Sequence, residues 1–264
     1  MPHPSLLSSD QALYDIELLR ALRGRGLSGQ LEVLCVIGAH RFEELPLINR
    51  LFPALRHIYL FEPQPGPLAA LQRLASQDSR IKVFAVAISD ADGTAQFNVA
   101  SNDGESSSLL QLGSHRELFP EVTMHSTIEV PTRRLDSVLA ERGLELPDAM
   151  IIDVQGAEYL VLKTFTESVL NRLRLIYTEV STEAVYESAG LLSEVEALLS
   201  PRFVNVGFAP MRADVPMHGN AVFVAATDVG AVLALTTHER LRRAFHRMRR
   251  RFRGGPAQRR GAMR

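Results

Sequence analysis

The chain of 264 residues is long enough for one large α/β domain, and its 46% apolar residues exclude a largely disordered protein. Its single cysteine, Cys35, excludes an intrachain disulfide and fits a reducing compartment; because it lies in the apolar run 34–37, we expect a buried thiol. The net charge of -1 is unevenly distributed: residues 240–264 hold 11 arginines and no acid, and the rest hold 18 Lys and Arg against 30 Asp and Glu.

The ends of the chain are expected to differ from its middle. Residues 1–10 lack the basic start, apolar stretch and cleavage site of a secretory signal, and no apolar run approaches the roughly 18 residues of a membrane span. We therefore predict a cytoplasmic protein. The expected organisation is an N-terminal helical segment at 1–30 with a helix near 11–22, a main domain at 31–228, and a basic tail at 229–264.

Short apolar runs alternate with amphipathic stretches along the main domain, a pattern typical of βα units around a mostly parallel sheet. Seven strands are predicted, at 32–37, 57–61, 82–88, 149–153, 173–180, 203–208 and 221–226. Helices are predicted to begin near residues 42, 66, 135, 157 and 191.

The segment 101–126 interrupts this alternation. It is rich in Ser, Gly, Asn and His, lies between hairpin strands predicted at 94–99 and 128–132, and is too long for a plain connection. We interpret residues 101–126 as a lid over a substrate site, with Ser107 and Ser108 as candidate substrate contacts.

Ligands of open α/β sheets bind beyond the carboxyl ends of the strands, so the residues after each apolar run are the candidates for a site. After the first run come Gly38, Ala39 and His40, where a glycine lets backbone N–H groups approach a ligand. After the second come Glu62 and Pro63. Glu62 lies 24 residues beyond Gly38, near the roughly 20-residue offset at which an acid binds ribose hydroxyls. The alternative is an acid that complements a helix dipole.

The third run ends in Ala87, Ile88 and Ser89, which could border an adenine ring beside the same crevice. The following turn signal at 90–93 needs no ligand, so both interpretations stay open.

The fourth run ends in Asp153, followed by Gln155, a glycine and Glu158 at a helix start. A helix cap would explain Glu158, but not an apolar strand that ends in Asp153 and Gln155, which favours a functional site. The next run places Glu179 within or at the end of its strand.

Together these segments resemble the FkbM family of S-adenosylmethionine-dependent methyltransferases over about residues 33–226. The resemblance rests on Leu60-Phe61-Glu62-Pro63, on Ala87-Ile88-Ser89-Asp90 with Asp92-Gly93, on Arg134-Leu135-Asp136-Ser137, and above all on Ile152-Asp153-Val154-Gln155-Gly156-Ala157-Glu158. It implies an α/β fold, the class I methyltransferase (Rossmann-like) seven-stranded, mostly parallel sheet with helices on both faces. It also implies S-adenosylmethionine as cofactor and O-methylation of a hydroxyl on a sugar, glycan or natural-product scaffold.

The first loop departs from the family's usual Asp-Val-Gly-Ala-Asn-x-Gly. Here Val36 replaces the acid, His40 the asparagine and Phe42 the last glycine. These changes could weaken cofactor binding, so a non-catalytic member that binds a glycan, a nucleotide derivative or a partner enzyme is the alternative function. A nicotinamide dehydrogenase is disfavoured because the loop lacks a second and third glycine.

The resemblance and the strand ends together give each candidate a role. Gly38, Ala39, Glu62, Pro63 and the segment 87–89 are expected to bind the cofactor. Asp153 is expected to face both cofactor and reaction centre, with His40 and Glu179 as candidate bases, since a histidine of near-neutral pKa suits proton removal. The alternative for His40 is a surface loop residue with no role in the reaction. Gln155 and Glu158 are candidate substrate contacts. Asp153, Glu158 and Glu179 could hold a hard cation, but scattered carboxylates seldom do, and no metal is expected.

The tail places Leu, Phe and Met among its arginines at roughly helical spacing, which predicts a basic amphipathic helix. Such a helix could bind an anionic surface at the inner membrane face or an acidic partner, or it could be a solvated end. Nucleic acid is a less favoured partner because the rest of the chain is acidic.

Overall fold

The computed structural model describes residues 27–212 and 214–230. The predicted N-terminal helix at 11–22 lies outside these residues, as does the tail beyond residue 230. No helix among the residues described is both long enough and apolar enough to cross a bilayer.

The described chain alternates strands and short helices after a 3-10 turn at Ser28–Gln30. The strands are β1 (Val33–Ile37), β2 (His57–Phe61), β3 (Ile81–Phe84), β4 (Ala87–Ile88), β5 (Gly93–Ala100), β6 (Met124–Arg133), β7 (Ala149–Ile152), β8 (Leu175–Ser181), β9 (Phe203–Arg212) and β10 (Val215–Ala225). The helices are α1 (Leu45–Leu51), α2 (Pro65–Gln77), α3 (His115–Leu118), α4 (Leu135–Glu141), α5 (Glu158–Leu162), α6 (Glu167–Arg172) and α7 (Leu192–Leu199).

Seven of these strands form one sheet in the order β3-β2-β1-β7-β8-β10-β9. Within this sheet β3, β2, β1, β7 and β8 are parallel, and β10 is antiparallel to both β8 and β9. The prediction of a mostly parallel, seven-stranded, Rossmann-like α/β sheet is confirmed. The direction of the strand order reverses between β1 and β7, so the carboxyl ends of these two strands border the crevice where such sheets bind ligands.

Helices cover both faces of this sheet because its central strands are apolar on both sides, as parallel strands usually are. Alternate residues of β1 point to opposite faces: Cys35 belongs to the core cluster that includes α4, α5, α6 and α7, whereas Leu34 belongs to the cluster that includes α1 and α2. Cys35 is buried as expected, and burial raises the pKa of its thiol, which keeps it protonated.

One predicted strand is wrong in its extent. Residues 82–88 do not form a single strand, because the chain leaves the large sheet after β3 and enters a second sheet of order β4-β6-β5. Two residues of β4 pair in parallel with β6, Ala87 with Thr132 and Ile88 with Arg133. The predicted hairpin strands at 94–99 and 128–132 are present as β5 and β6.

Candidate active site

The turn after β1 uses its backbone donors within the protein. The N–H groups of Gly38 and Ala39 both donate to the Phe61 carbonyl at 3.0 Å, and the N–H of His40 donates to Glu62 Oε2 at 2.8 Å. We expected these donors to approach a ligand. Instead they join the end of β1 to the end of β2, so these three N–H groups are already bonded within the protein.

Two residues that depart from the family pattern, His40 and Phe42, have backbone angles that are unusual for residues other than glycine. Phe42 has φ +51° and His40 has φ +43°, the left-handed region that glycine adopts most easily. The Phe42 side chain is buried with Ala39 and Ile48. Burial of the ring offsets the left-handed strain of about 1 kcal/mol, so the turn keeps a glycine-like backbone without the glycine.

Glu62 closes the same turn from the end of β2. Its carboxylate accepts the His40 N–H and, through Oε1, the Gln64 N–H at 2.8 Å. Only 2% of the residue is exposed. Burial raises the pKa of Glu62, while the two backbone N–H groups act in the opposite direction. Each oxygen accepts one N–H and retains a second lone pair for another donor. Pro63 follows directly, just before α2 begins at Pro65.

The predicted lid contacts the residues that bind Glu62. Gln64 Nε2 donates to the Gly104 carbonyl at 3.1 Å, and His40 Nε2 lies 3.1 Å from the Asp103 carbonyl. Arg41 pairs with the Asp103 carboxylate at 2.6 Å. Two contacts therefore hold Asp103 against the first loop, and a third holds Gly104 against the segment after β2. The His40 imidazole is used there as a lid contact.

The two lid serines have their hydroxyls engaged inside the protein. Ser107 Oγ accepts the Ala100 N–H at 3.0 Å. Ser108 Oγ accepts the Leu110 N–H at 2.9 Å and donates to the Val154 carbonyl at 3.4 Å. Both residues are buried, and both help to fix the lid.

The segment after β3 lies in the second sheet. Ala87 packs in the small core of that sheet, and Ile88 packs in the main core against α4. The Ser89 N–H donates to the Arg133 carbonyl, and its hydroxyl donates to Asp90 at 3.3 Å. Ala87 and Ile88 therefore form β4, and Ser89 begins the turn that follows it.

A second polar cluster lies at the carboxyl ends of β7 and β8. Gln155 Nε2 donates to Asp153 Oδ1 at 2.7 Å and to Glu179 Oε2 at 2.9 Å. The Tyr186 hydroxyl donates to Gln155 Oε1 at 2.6 Å. Asp153 is open to solvent in the crevice, whereas Glu179 is 1% exposed. The structure therefore brings Asp153, Gln155 and Glu179 together, joined by a single amide.

Glu158 completes this cluster at the start of α5. Its Oε1 accepts the N–H groups of Val154 and Gly156, at 2.9 and 3.2 Å. Burial and the charge of Glu179 raise the pKa of Glu158 to about 7. Desolvation by the surrounding protein atoms and the charge of Glu179 also raise the pKa of Asp153 well above its usual range, although the residue is exposed to solvent overall.

Gly38 joins the first loop to this second cluster. It has φ +82°, and a Cβ added there would lie 1.7 Å from the backbone oxygen of Asp153. The Asp153 N–H donates to the Ile37 carbonyl at 2.9 Å. The ends of β1 and β7 are thus in direct contact, and that contact requires glycine at position 38.

Sequence reasoning missed Tyr186, His218 and His115. His218, on β10, lies 3.3 Å from Glu179 through Nε2, and His115, in α3 of the lid, packs against Tyr186. Burial, with a contribution from His218, lowers the pKa of His115 to about 4. None of the three follows an apolar strand end, so no local signal in the sequence marked them.

One oxygen from each of Asp153, Glu158 and Glu179 lies within 4.8 Å of the others, a spacing that a cation could bridge. The Gln155 amide already lies between two of these carboxylates, and Glu158 is bound to backbone N–H groups. The cluster is therefore held together by hydrogen bonds.

The seven-stranded Rossmann-like sheet with its antiparallel β10, and with acids at the ends of β2 and β7 around the switch point, fits a class I methyltransferase domain. The model of the methyltransferase FkbM domain matches residues 37–209, and the chain belongs to this family. A curated relative, the 2-O-methyltransferase NoeI of Sinorhizobium fredii, is 36% identical over 159 residues. That alignment covers 58% of this chain, and the chain spans only 65% of the relative's length.

Solved structures of methyltransferases match most of this chain at low identity and with TM-scores below 0.5. The methyltransferase FkbM of Methylobacillus flagellatus KT is 15% identical, with a TM-score of 0.49 over 83% of this chain and 56% of that one. The N-methyltransferase NodS of Bradyrhizobium japonicum WM9 is 13% identical, with a TM-score of 0.45 over 83% of this chain and 98% of that one.

Proposed function

We propose that the protein is an S-adenosylmethionine-dependent O-methyltransferase that acts on a sugar or glycan hydroxyl. The observation that carries this proposal is the pair of acidic strand ends, Glu62 and Asp153, on either side of the switch point in an FkbM methyltransferase domain. The relative named a 2-O-methyltransferase supports oxygen as the acceptor atom.

The residues at the crevice fit this cofactor. Glu62 offers two carboxylate oxygens, each with a lone pair to spare, and this is what a vicinal ribose diol needs. The turn of Gly38 and Ala39, which opens with the left-handed Gly38, lies between Glu62 and Asp153. When bound, S-adenosylmethionine supplies an electrophilic methyl group on its sulfonium.

Asp153 is our candidate for the residue that meets the acceptor. Gln155 holds its Oδ1 in place, and the side chain is open to the crevice. A carboxylate there orients the acceptor hydroxyl and takes its proton as the oxygen attacks. The raised pKa of Asp153 makes it a stronger base than an ordinary aspartate. Glu179 is buried behind Gln155, so it acts on the acceptor through that amide.

The lid must open before the cofactor binds, because Glu62 is covered. The contacts of residues 103–104 with His40, Arg41 and Gln64 are the ones that have to break. The Arg41–Asp103 pair is exposed, and such pairs contribute about 1 kcal/mol or less, so this pair alone does not hold the lid closed.

A methylation screen tests the proposal. The full chain would be incubated with S-adenosylmethionine and a panel of methyl pyranosides that carry a free 2-hydroxyl, with the 2-deoxy compounds as controls. We expect S-adenosylhomocysteine and a singly methylated sugar, both lost in Asp153→Asn. Cofactor binding without transfer to any hydroxyl compound would favour the alternative, a non-catalytic member that binds a glycan, a nucleotide derivative or a partner enzyme.

For the basic tail we propose contact with an anionic membrane surface at the inner membrane face, based on its 11 arginines and interleaved apolar residues. In the organisation that we propose, residues 1–30 and 229–264 flank a methyltransferase domain at 31–228. Flotation with vesicles of phosphatidylglycerol, comparing the full chain with one that ends at Asp228, tests the tail. Equal flotation of the two would refute its role, and an acidic protein partner would then be the next candidate.

A further inference from the structure

His218 and Glu179 form a buried pair beneath the candidate active site. His218 Nε2 lies 3.3 Å from Glu179 Oε1, and His218 Nδ1 lies 2.8 Å from Ser181 Oγ. The two strands that carry them are neighbours, with His218 of β10 opposite Ser181 of β8. Both members of the pair are almost fully buried. A buried carboxylate beside an imidazole is stable when the imidazole carries the compensating charge.

The Gln155 amide connects this pair to Asp153. Its Nε2 has two hydrogens, one directed at Asp153 and one at Glu179, and its oxygen accepts from Tyr186. The opposite amide orientation would place oxygen against two carboxylates, so the contacts allow one orientation only. Burial and nearby carboxylates raise the pKa of Tyr186, so its hydroxyl stays a donor.

The backbone around Gln155 is shaped for this bridge. Gln155 has φ +56°, and Gly156 has φ +96°. A Cβ on Gly156 would lie 2.6 Å from the Cβ of Tyr186. The left-handed pair of residues therefore makes room for the Tyr186 ring and turns the Gln155 side chain toward Glu179.

We infer that His218 is a positioning residue for methyl transfer: from β10 it holds the Glu179 side chain in place, and Glu179 through Gln155 fixes the carboxylate of Asp153 as the proton acceptor for the substrate hydroxyl. This role rests on the proposed function. In the transfer step the C–O bond forms, the C–S bond breaks with its electron pair on sulfur, and the hydroxyl proton passes to Asp153.

The charges around His218 agree with an imidazolium. Burial would lower its pKa, but the charges of Glu179 and Glu158 outweigh burial and raise it. Among the described residues Glu179 Oε1 has no hydrogen-bond partner, so its 3.3 Å contact with His218 Nε2 is one between charges. Asp153 and Tyr186 face the same cluster, and His115 approaches from the lid. Since His115 is neutral at pH 7, His218 is the compensating cation in this group.

The first test is NMR titration of imidazole nitrogens in the full chain, with His218 assigned by the signals lost in His218→Gln. We expect His218 to titrate above pH 6.5 in the wild type, and at least about one pH unit lower in Glu179→Gln. Titration of His218 below pH 6.5 in the wild type, or no change in Glu179→Gln, would overturn the inference.

The second test is the pH profile of transfer to the best pyranoside from the screen. His218→Gln should bind S-adenosylmethionine with unchanged affinity, turn over about tenfold more slowly, and shift its acidic limb upward by about one pH unit, because Asp153 retains its proton longer. His57→Gln is the matched control. His57, at the start of β2, lies 3.3 Å from Glu145, and the pH profile of this variant should match the wild type.

The outcomes separate the two proposals. An active wild-type protein whose His218→Gln variant keeps its rate and profile refutes the role of His218 alone. A wild-type protein that methylates no hydroxyl refutes the proposed function, and the role of His218 falls with it.

Discussion

Replacing Gly38 with alanine tests the contact between the first loop and Asp153. Gly38 has φ +82°, and an added Cβ would lie 1.7 Å from the Asp153 carbonyl oxygen, a backbone atom that cannot rotate away. Gly143 is a matched control, because it has φ +57° but none of the described residues lies within 4 Å of an added Cβ. Alanine in the left-handed region costs about 1 kcal/mol at either site. At Gly38 the overlap adds about 1–3 kcal/mol.

The free energy of unfolding, measured by urea denaturation of both variants, checks this difference. We expect Gly143→Ala to lose about 1 kcal/mol and Gly38→Ala to lose about 2–4 kcal/mol. Gly38→Ala should also lower methyl transfer, since the strand end that carries Asp153 has to move. Equal losses of stability in the two variants would refute the contact between Gly38 and Asp153 on which the site depends.

Three further predictions follow from single features. Phe42→Gly should be more stable to urea than Phe42→Ala by about 1 kcal/mol, because residue 42 has a left-handed φ. At the control site Phe52, with φ −123°, the alanine variant should be the more stable of the two. If glycine were more stable than alanine at both sites, or less stable at both, the left-handed turn would be contradicted. The pKa of His115 is lowered to about 4, so the unfolded chain binds the proton more tightly and stability falls as pH drops from 6.5 toward 4, by about 2–3 kcal/mol. His115→Phe should flatten this part of the stability curve; a slope equal to the wild type would exclude His115 as its source. Dialysis against EDTA should leave transfer unchanged, because hydrogen bonds hold the carboxylate cluster, and a loss restored by Mg²⁺ would contradict that account.

The sheet and the acidic strand ends could be predicted because they depend on local patterns. Parallel strands buried on both faces are continuous apolar runs, as in β1, and their carboxyl ends gather at one edge. That rule is enough to select Glu62 and Asp153. It could not show that residues 87–88 leave the sheet, because their partner is β6, more than forty residues away.

The environment of the site depends on contacts between distant segments. His218 reaches Glu179 only through the register of β10 on β8, and Tyr186 reaches Gln155 only through the loop after β8. The use of His40 as a lid contact depends on where residues 103–104 fold back. Such distances are set by tertiary packing, so neither spacing nor composition of the sequence could give them.

Calorimetric titration of the full chain with S-adenosylmethionine and S-adenosylhomocysteine tests the central claim most directly. The matched variant is Glu62→Gln, which keeps the side-chain shape and one acceptor oxygen but removes the carboxylate. The account predicts binding of both compounds in the micromolar range by the wild type, and its loss in a Glu62→Gln protein that remains folded. A folded wild-type protein that binds neither compound at millimolar concentration would contradict the account.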